Sequence, residues 1–198
     1  MNELKNATKR ISDRLKLITD LGDNLVYIGR FSPMHYGHQA IIQSMIQVAP
    51  NNHLVLLGSC NTPIAKRHLF KFTDRLNFIK TIFPEAKLAG LPDFPGDNES
   101  WFASLDHIIA LTGKDPKKTT FIGGCDADVQ WFKDNGRQWT VVDRKWGITH
   151  DISGTEIRNF LANGDKESLA NFIDGRILDK VIETFKQRWN EYNEFISR

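Results

Sequence analysis

Five short apolar runs, at 25–28, 53–57, 87–91, 119–122 and 140–142, alternate along the chain with segments of helical spacing at 37–48, 73–82, 99–111, 127–135 and 154–161. The runs are bounded by Gly, Pro, Asn or Asp and show no polar face, as strands covered on both sides should. Strand followed by helix, repeated, predicts an α/β fold: a Rossmann-like open parallel sheet of about five strands, with helices on both faces and right-handed crossovers. Ligands of such sheets bind beyond the carboxyl ends of the strands, so chemistry is expected in the residues just after each run. A further amphipathic helix precedes the first strand, with Leu4, Ala7, Ile11, Leu15 and Ile18 on one face. It suits either docking over the sheet or an oligomer contact. Another follows the last unit, with Leu178, Val181, Ile182, Phe185, Trp189, Tyr192 and Phe195 on one face, and its aromatics read as packing. The expected organisation is one domain over 1–198: an N-terminal helical extension (1–22), an α/β core (23–163) and C-terminal helices (164–198).

The first strand runs directly into Gly29-Arg30-Phe31-Ser32-Pro33-Met34-His35-Tyr36-Gly37-His38. Two histidines and an arginine are thus delivered to a strand-to-helix turn, where unpaired N–H groups and the helix dipole favour an anion. Gly29 and Gly37 let the backbone turn tightly and come close to a ligand. Alone, His35 and His38 would read as ordinary core or surface histidines; as an H-x-x-H metal site they lack a third ligand at a usual spacing. Far downstream, Ile152-Ser153-Gly154-Thr155-Glu156-Ile157-Arg158 opens another helix. SGTE by itself is a capping box, with Ser153 capping and Glu156 reaching back. Capping and phosphate binding do not compete, since both use the helix N-terminus.

Taken together and in this order, the two segments resemble the HxGH and ISSTxxR signatures of nucleotidyltransferases related to class I aminoacyl-tRNA synthetases. The GRFxPxHxGH form is similar to that of the archaeal-type nicotinamide-mononucleotide (NMN) adenylyltransferases. The resemblance implies that His35, His38, Arg30 and Arg158 stabilise the transferring phosphates. It implies that Gly29, Phe31, Gly37, Ser153, Gly154 and Thr155 line the ATP site. Gly58-Ser59-Cys60, continuing through Arg67 to Phe72-Thr73-Asp74-Arg75, resembles a further family block in register with both motifs. Arg67 falls on the arginine that meets the mononucleotide phosphate, whereas Leu69 and Lys71 depart from the family's Pro and Thr. Without the flanking motifs, Lys66-Arg67-His68 would be a solvated basic loop. Asp93, Asn98 and Trp101 resemble the residues lining the nicotinamide pocket, where a Trp offers a flat face for a pyridinium ring. Trp101 also suits the first core anchor of its helix. Gly123 and Asp126 occupy the family's SGN-type turn near adenine and ribose, with Asp126 replacing Asn or capping the next helix. Arg144 and His150 lie near the second motif without an assigned role.

The implied reaction is ATP + NMN → NAD + pyrophosphate, with Mg²⁺ carried mainly by the ATP phosphates and no protein metal site. Its alternatives are a relative acting on another phosphate acceptor, or a module that senses nucleotides without turnover. A scaffold using the terminal helices is a third, weaker reading. Composition narrows the partners: 26 basic against 24 acidic residues argue for neither a nucleic-acid nor a membrane partner. No apolar run approaches the roughly 20 residues needed to cross a bilayer, and 1–5 lack the apolar stretch of a signal peptide. Cys60 and Cys125 stand far apart with no C-x-x-C, and read as small packing residues in a reducing cytoplasm. No Nudix-type hydrolase domain of the kind some relatives carry is expected, and a homo-oligomer is compatible with the terminal helices.

Overall fold

The computed structural model describes residues 2–18, 24–65, 68–142 and 154–196. Helix α1 (Asn2–Ile18) precedes strand β1 (Asn24–Gly29), and the alternation continues with α2 (Tyr36–Val48), β2 (His53–Gly58), α3 (Phe72–Ile82) and β3 (Leu88–Leu91). Next come α4 (Asn98–Leu111), a 3₁₀ turn at Pro116–Lys118, β4 (Thr119–Gly123), α5 (Asp126–Asp134) and β5 (Gln138–Val141). The chain closes on α6 (Gly154–Asn163), α7 (Lys166–Ala170) and α8 (Leu178–Ile196). The five strands form one parallel sheet in the order β3-β2-β1-β4-β5.

Strand periodicity divides the core into two layers. Leu25, Tyr27, Val55, Leu57 and Ile122 face one cluster, which also takes Ala7 and Ile11 of α1, Met45 of α2 and Phe185 of α8. Their neighbours Val26, Leu54, Leu56 and Phe121 face the other, against Leu105 and Ile109 of α4 and Phe132 of α5. Helices therefore cover both faces. The central strands β1, β2 and β4 are almost wholly buried, but β3 and β5 are partly open, with Trp139 of β5 38% exposed. The expectation of burial on both faces fails at these edges, where a strand has a neighbour on one side alone.

Helix α1 docks on α2: the Ser44 hydroxyl donates to the Thr8 carbonyl at 2.9 Å and the Ser12 hydroxyl donates to Gln47 Oε1 at 3.0 Å. Among the described residues no helix is long and apolar enough to cross a membrane. The sheet order reverses between β1 and β4, and this is the crevice where open parallel sheets accept ligands.

Candidate active site

The turn after β1 is held open by its own side chains. Phe31 has a left-handed backbone (φ 50) and folds its ring over Gly29, where an added Cβ would lie 2.8 Å from the ring. Only glycine fits at 29. His35 is the N-cap of α2, and its Nδ1 accepts from the Gly37 N–H at 3.2 Å. The proton of a neutral His35 ring therefore sits on Nε2. The His35 and His38 rings lie 3.7 Å apart between centroids, and Phe31 presents its ring to His38 at 5.0 Å and 71°. The start of α2 is fixed from outside the sheet. Tyr36 N–H donates to the Phe172 carbonyl at 2.8 Å, and the Gln39 amide donates to Asp174 at 2.9 Å. Hydrogen bonds from Arg176 hold the Asp174 carboxyl down to about 2.

Helix α6 brings the second motif to this turn. Arg158 Nη1 donates to the Ser32 carbonyl at 3.3 Å, and its Nη2 donates to the Thr155 hydroxyl at 2.9 Å. A Cβ at Gly154 would stand 3.2 Å from the Arg158 guanidinium and 3.8 Å from the Ser32 carbonyl, so glycine admits this approach. Arg30, Thr155 and Arg158 line a cleft of about 610 Å³ whose other wall includes Leu69, Phe185 and Trp189. Ser153, Arg144 and His150 lie outside the described residues.

The remaining turns carry the other expected residues. Ala65 and His68 exchange backbone hydrogen bonds of 3.2 and 2.7 Å across Lys66 and Arg67, which also lie outside the described residues. His68 is buried, and burial together with the Arg75 and Arg30 charges pushes its imidazole below the usual range. Asn61 latches the turn after β2 to that after β3, donating to the Asp93 carbonyl at 3.0 Å and accepting from the Asp93 N–H at 2.9 Å. The Asp93 carboxylate accepts from the Thr62 hydroxyl at 3.1 Å. Asn98 is the exposed first residue of α4, whose cap is Asp97.

Three features refine the sequence reading. Trp101, read as a stacking face for a pyridinium ring or as the first core anchor of its helix, is half-buried and lays one ring face parallel to Trp131 at 5.4 Å and 8°, with Phe102 edge-on to both. It thus joins the α4–α5 aromatic layer, because α5 brings Trp131 against it. Asp126, weighed as a helix cap, is exposed; Asp128 instead accepts from the Gly124 N–H at 3.0 Å. A Cβ at Gly123 would sit 2.5 Å from Val129 and 3.0 Å from Asp128, so glycine lets this turn run tight against the first turn of α5, where Asp128 lies. Cys125 is exposed at the N-cap of α5 and packs no core, while Cys60 is half-buried and burial pushes its thiol up.

Thus Arg30, Thr155 and Arg158 share one cleft, with His35 and His38 on the turn that Arg158 touches. Gly123 and Asp126 stand at the neighbouring β4 turn, while Asp93, Asn98 and Trp101 belong to the β3–α4 side of the sheet. The residues missed from sequence were Phe185 and Trp189. Their helical spacing marked a buried face, and the one available signal was the aromatic content of that face.

The cytidylyltransferase-like family model matches residues 26–160. No curated protein sequence matches the chain. Among solved structures, a bifunctional NMN adenylyltransferase/ADP ribose pyrophosphatase from Francisella tularensis superposes with a TM-score of 0.68 at 19% identity, over 89% of this chain and 55% of that one. The same bifunctional protein complexed with AMP and a manganese ion gives 0.65 at 20% identity, over 89% and 54%. The NadR protein in complex with NAD and AMP-PNP gives 0.53 at 25% identity, over 79% and 46%. The chain spans about half the length of these structural relatives. Because the matched span runs from β1 into α6 and takes in both motif turns, the chain belongs to the cytidylyltransferase-like family of nucleotidyltransferases.

Proposed function

We propose that this nucleotidyltransferase is an adenylyltransferase that joins ATP and NMN to give NAD and pyrophosphate. The observation that carries the reading is the contact between Arg158 and the Ser32 carbonyl, which sets the α6 N-terminus against the histidine turn. Two helix N-termini, two arginines and two histidines then converge on one region, an arrangement suited to a polyphosphate. The printed descriptions of the structural relatives, NMN adenylyltransferases and a protein binding NAD and AMP-PNP, support the same choice.

In the proposed step a phosphate oxygen of NMN attacks the α-phosphorus of ATP in line. The bond from that phosphorus to the β-bridging oxygen breaks, and pyrophosphate leaves with the electron pair. The nucleophile is already an anion, so the site needs no general base; it must position two anions and offset developing charge. His35 and His38 donate to the leaving pyrophosphate. Arg30 and Arg158 present planar forks to the same oxygens, with Ser153, Gly154 and Thr155 adding donors from the start of α6. Gly29, Phe31, Gly37, Gly123 and Asp126 border the nucleotide at the reversal of strand order. Arg67 meets the NMN phosphate, and Asp93, Asn98 and Trp101 receive the nicotinamide. Mg²⁺ would be carried by the ATP phosphates and not by a protein site. Bound there, the ion neutralises phosphate charge.

A second reading follows from Phe185 and Trp189, which wall the cleft holding Arg30 and Arg158 while Trp101 is covered by Trp131. In it the acceptor is a different phosphate monoester whose apolar part lies against α8. Pyrophosphate release from ATP with a panel of phosphate monoesters tests both readings. NMN as the preferred acceptor, with NAD formed in equal amount, supports the first. Turnover with another monoester and none with NMN rejects it.

A further inference from the structure

Among the described residues Arg75 is the largest fully buried side chain, at 0% exposure; it lies on α3, outside the two motif turns, and bonds the backbone of Arg30, one of the residues assigned to the phosphates. Its guanidinium reaches under the carboxyl ends of the two central strands. Nη1 donates to the Arg30 carbonyl at 2.8 Å and to the Gly58 carbonyl at 2.8 Å, and Nη2 donates to the Ser59 carbonyl at 3.0 Å. Gly58 ends β2, and Arg30 and Ser59 are the first residues past β1 and β2; the three carbonyls adjoin the two residues in the left-handed region, Phe31 (φ 50) and Ser59 (φ 55). A non-glycine residue in that region is strained and persists where its surroundings over-determine it. A full positive charge in the interior is itself costly unless its donors are satisfied. Here Nη1 and Nη2 are used on backbone at two strained turns, while the buried Nε has no hydrogen-bond partner among the described residues.

The neighbouring residue extends the brace. The Asp74 carboxylate accepts from both Nε and Nη2 of Arg188 on α8 at 2.8 Å, and from the Lys71 N–H at 2.9 Å. Consecutive residues of α3 therefore tie the strand ends on one side to α8 on the other.

We propose that Arg75 is a positioning residue for the phosphate site: its fork fixes the peptides on either side of Ser59 and the peptide entering Phe31, and so sets where Arg30 and the histidine turn stand. This rests on the adenylyl-transfer reading for its kinetic consequence, and on geometry alone for its structural one. Arg75 touches no substrate in this scheme. Lysine keeps the charge but has a compact head in place of the planar fork, so it cannot hold all three carbonyls in the same directions.

The test compares wild-type protein with Arg75→Lys and Arg75→Gln. Arg75→Lys is expected to stay folded by circular dichroism and to lower kcat by about 10²-fold, the scale of a misplacement near 1 Å, with a smaller change in KM for ATP. Arg75→Gln should lose more activity than Arg75→Lys. Amide hydrogen exchange on the unliganded proteins gives a readout that needs no substrate: exchange should rise at 29–38 and 58–62 and stay unchanged in α1. If the wild-type chain turns over no acceptor while exchange rises as described, the adenylyl-transfer reading fails and the brace stands. A folded Arg75→Lys with wild-type kcat and unchanged exchange overturns the proposal. Unfolding of both variants also overturns it, leaving Arg75 as a core residue.

Discussion

The two ends of the same parallel sheet use histidine in opposite ways. At the amino end, His53 opens β2, is 2% exposed, and spends both ring nitrogens on backbone: Nδ1 lies 2.9 Å from the Ala49 carbonyl, and Nε2 accepts from the Lys87 N–H at 3.1 Å. Those partners fix a neutral ring, and burial pushes its pKa below the usual imidazole range. At the carboxyl end, His35 spends Nδ1 on the Gly37 N–H, and His38 stacks beside it within a turn whose backbone is left-handed at Phe31. A ring whose nitrogens are both committed to backbone is a structural element. A pair of rings set at a helix start, beside an arginine from a distant helix, is what we propose as the binding element. Composition cannot tell the two apart; location in the fold can.

If the comparison holds, His38→Ala should have the largest effect on chemistry, lowering kcat by about 10²–10³-fold with little loss of stability. Arg158→Ala should behave similarly. The double variant should lose less than the sum, since both act on one leaving group. Steady-state kinetics on the two variants and their combination check this, and full additivity would separate their roles.

At the other end, His53→Ala should leave kcat unchanged while lowering unfolding free energy by about 1–3 kcal/mol, because a buried ring is lost and the Lys87 N–H and Ala49 carbonyl lose their partner. Urea unfolding beside kinetics is the measurement. A fall in kcat without a fall in stability would erase the contrast between the two ends.

Next in size are the aromatics. Trp101→Ala should raise KM for NMN by a loss of about 1–2 kcal/mol while sparing KM for ATP. If instead Trp189→Ala carries the acceptor effect, the α8 wall holds the acceptor and Trp101 belongs to the core layer with Trp131.

The smallest effects are on pH dependence. His53 has a depressed folded-state pKa, so the unfolded chain binds its proton more readily. Its contribution is present above the ordinary imidazole value near 6.5 and is lost as pH falls below it toward the folded value. Asp174, held down to about 2, contributes stability above the carboxylate range that is lost as pH falls toward 2. Arg176 is 55% exposed, so screening keeps that contribution modest. Stability measured against pH for His53→Gln and Asp174→Asn should flatten in those two windows respectively.

The sequence by itself determined the order of strands and helices, because short apolar runs and helical spacing are local signals and here they agree with the fold. It also determined that both motif turns fall at the carboxyl end, since parallel topology places every strand-to-helix turn there. It did not determine which face of Trp101 is open, which aspartate closes the β4 turn, or that Phe185 and Trp189 wall the cleft. Those depend on residues far apart in the chain: Trp131 against Trp101, Val129 against Gly123, and α8 drawn to α3 by Arg188 and Asp74. Arg75 is the clearest case: helical spacing sets it in line with Phe78, Ile79 and Ile82 on the buried face of α3, but nothing local explains a charge there. Only the tertiary structure shows why it is buried, for only there do the Arg30, Gly58 and Ser59 carbonyls at the ends of β1 and β2 converge on one guanidinium.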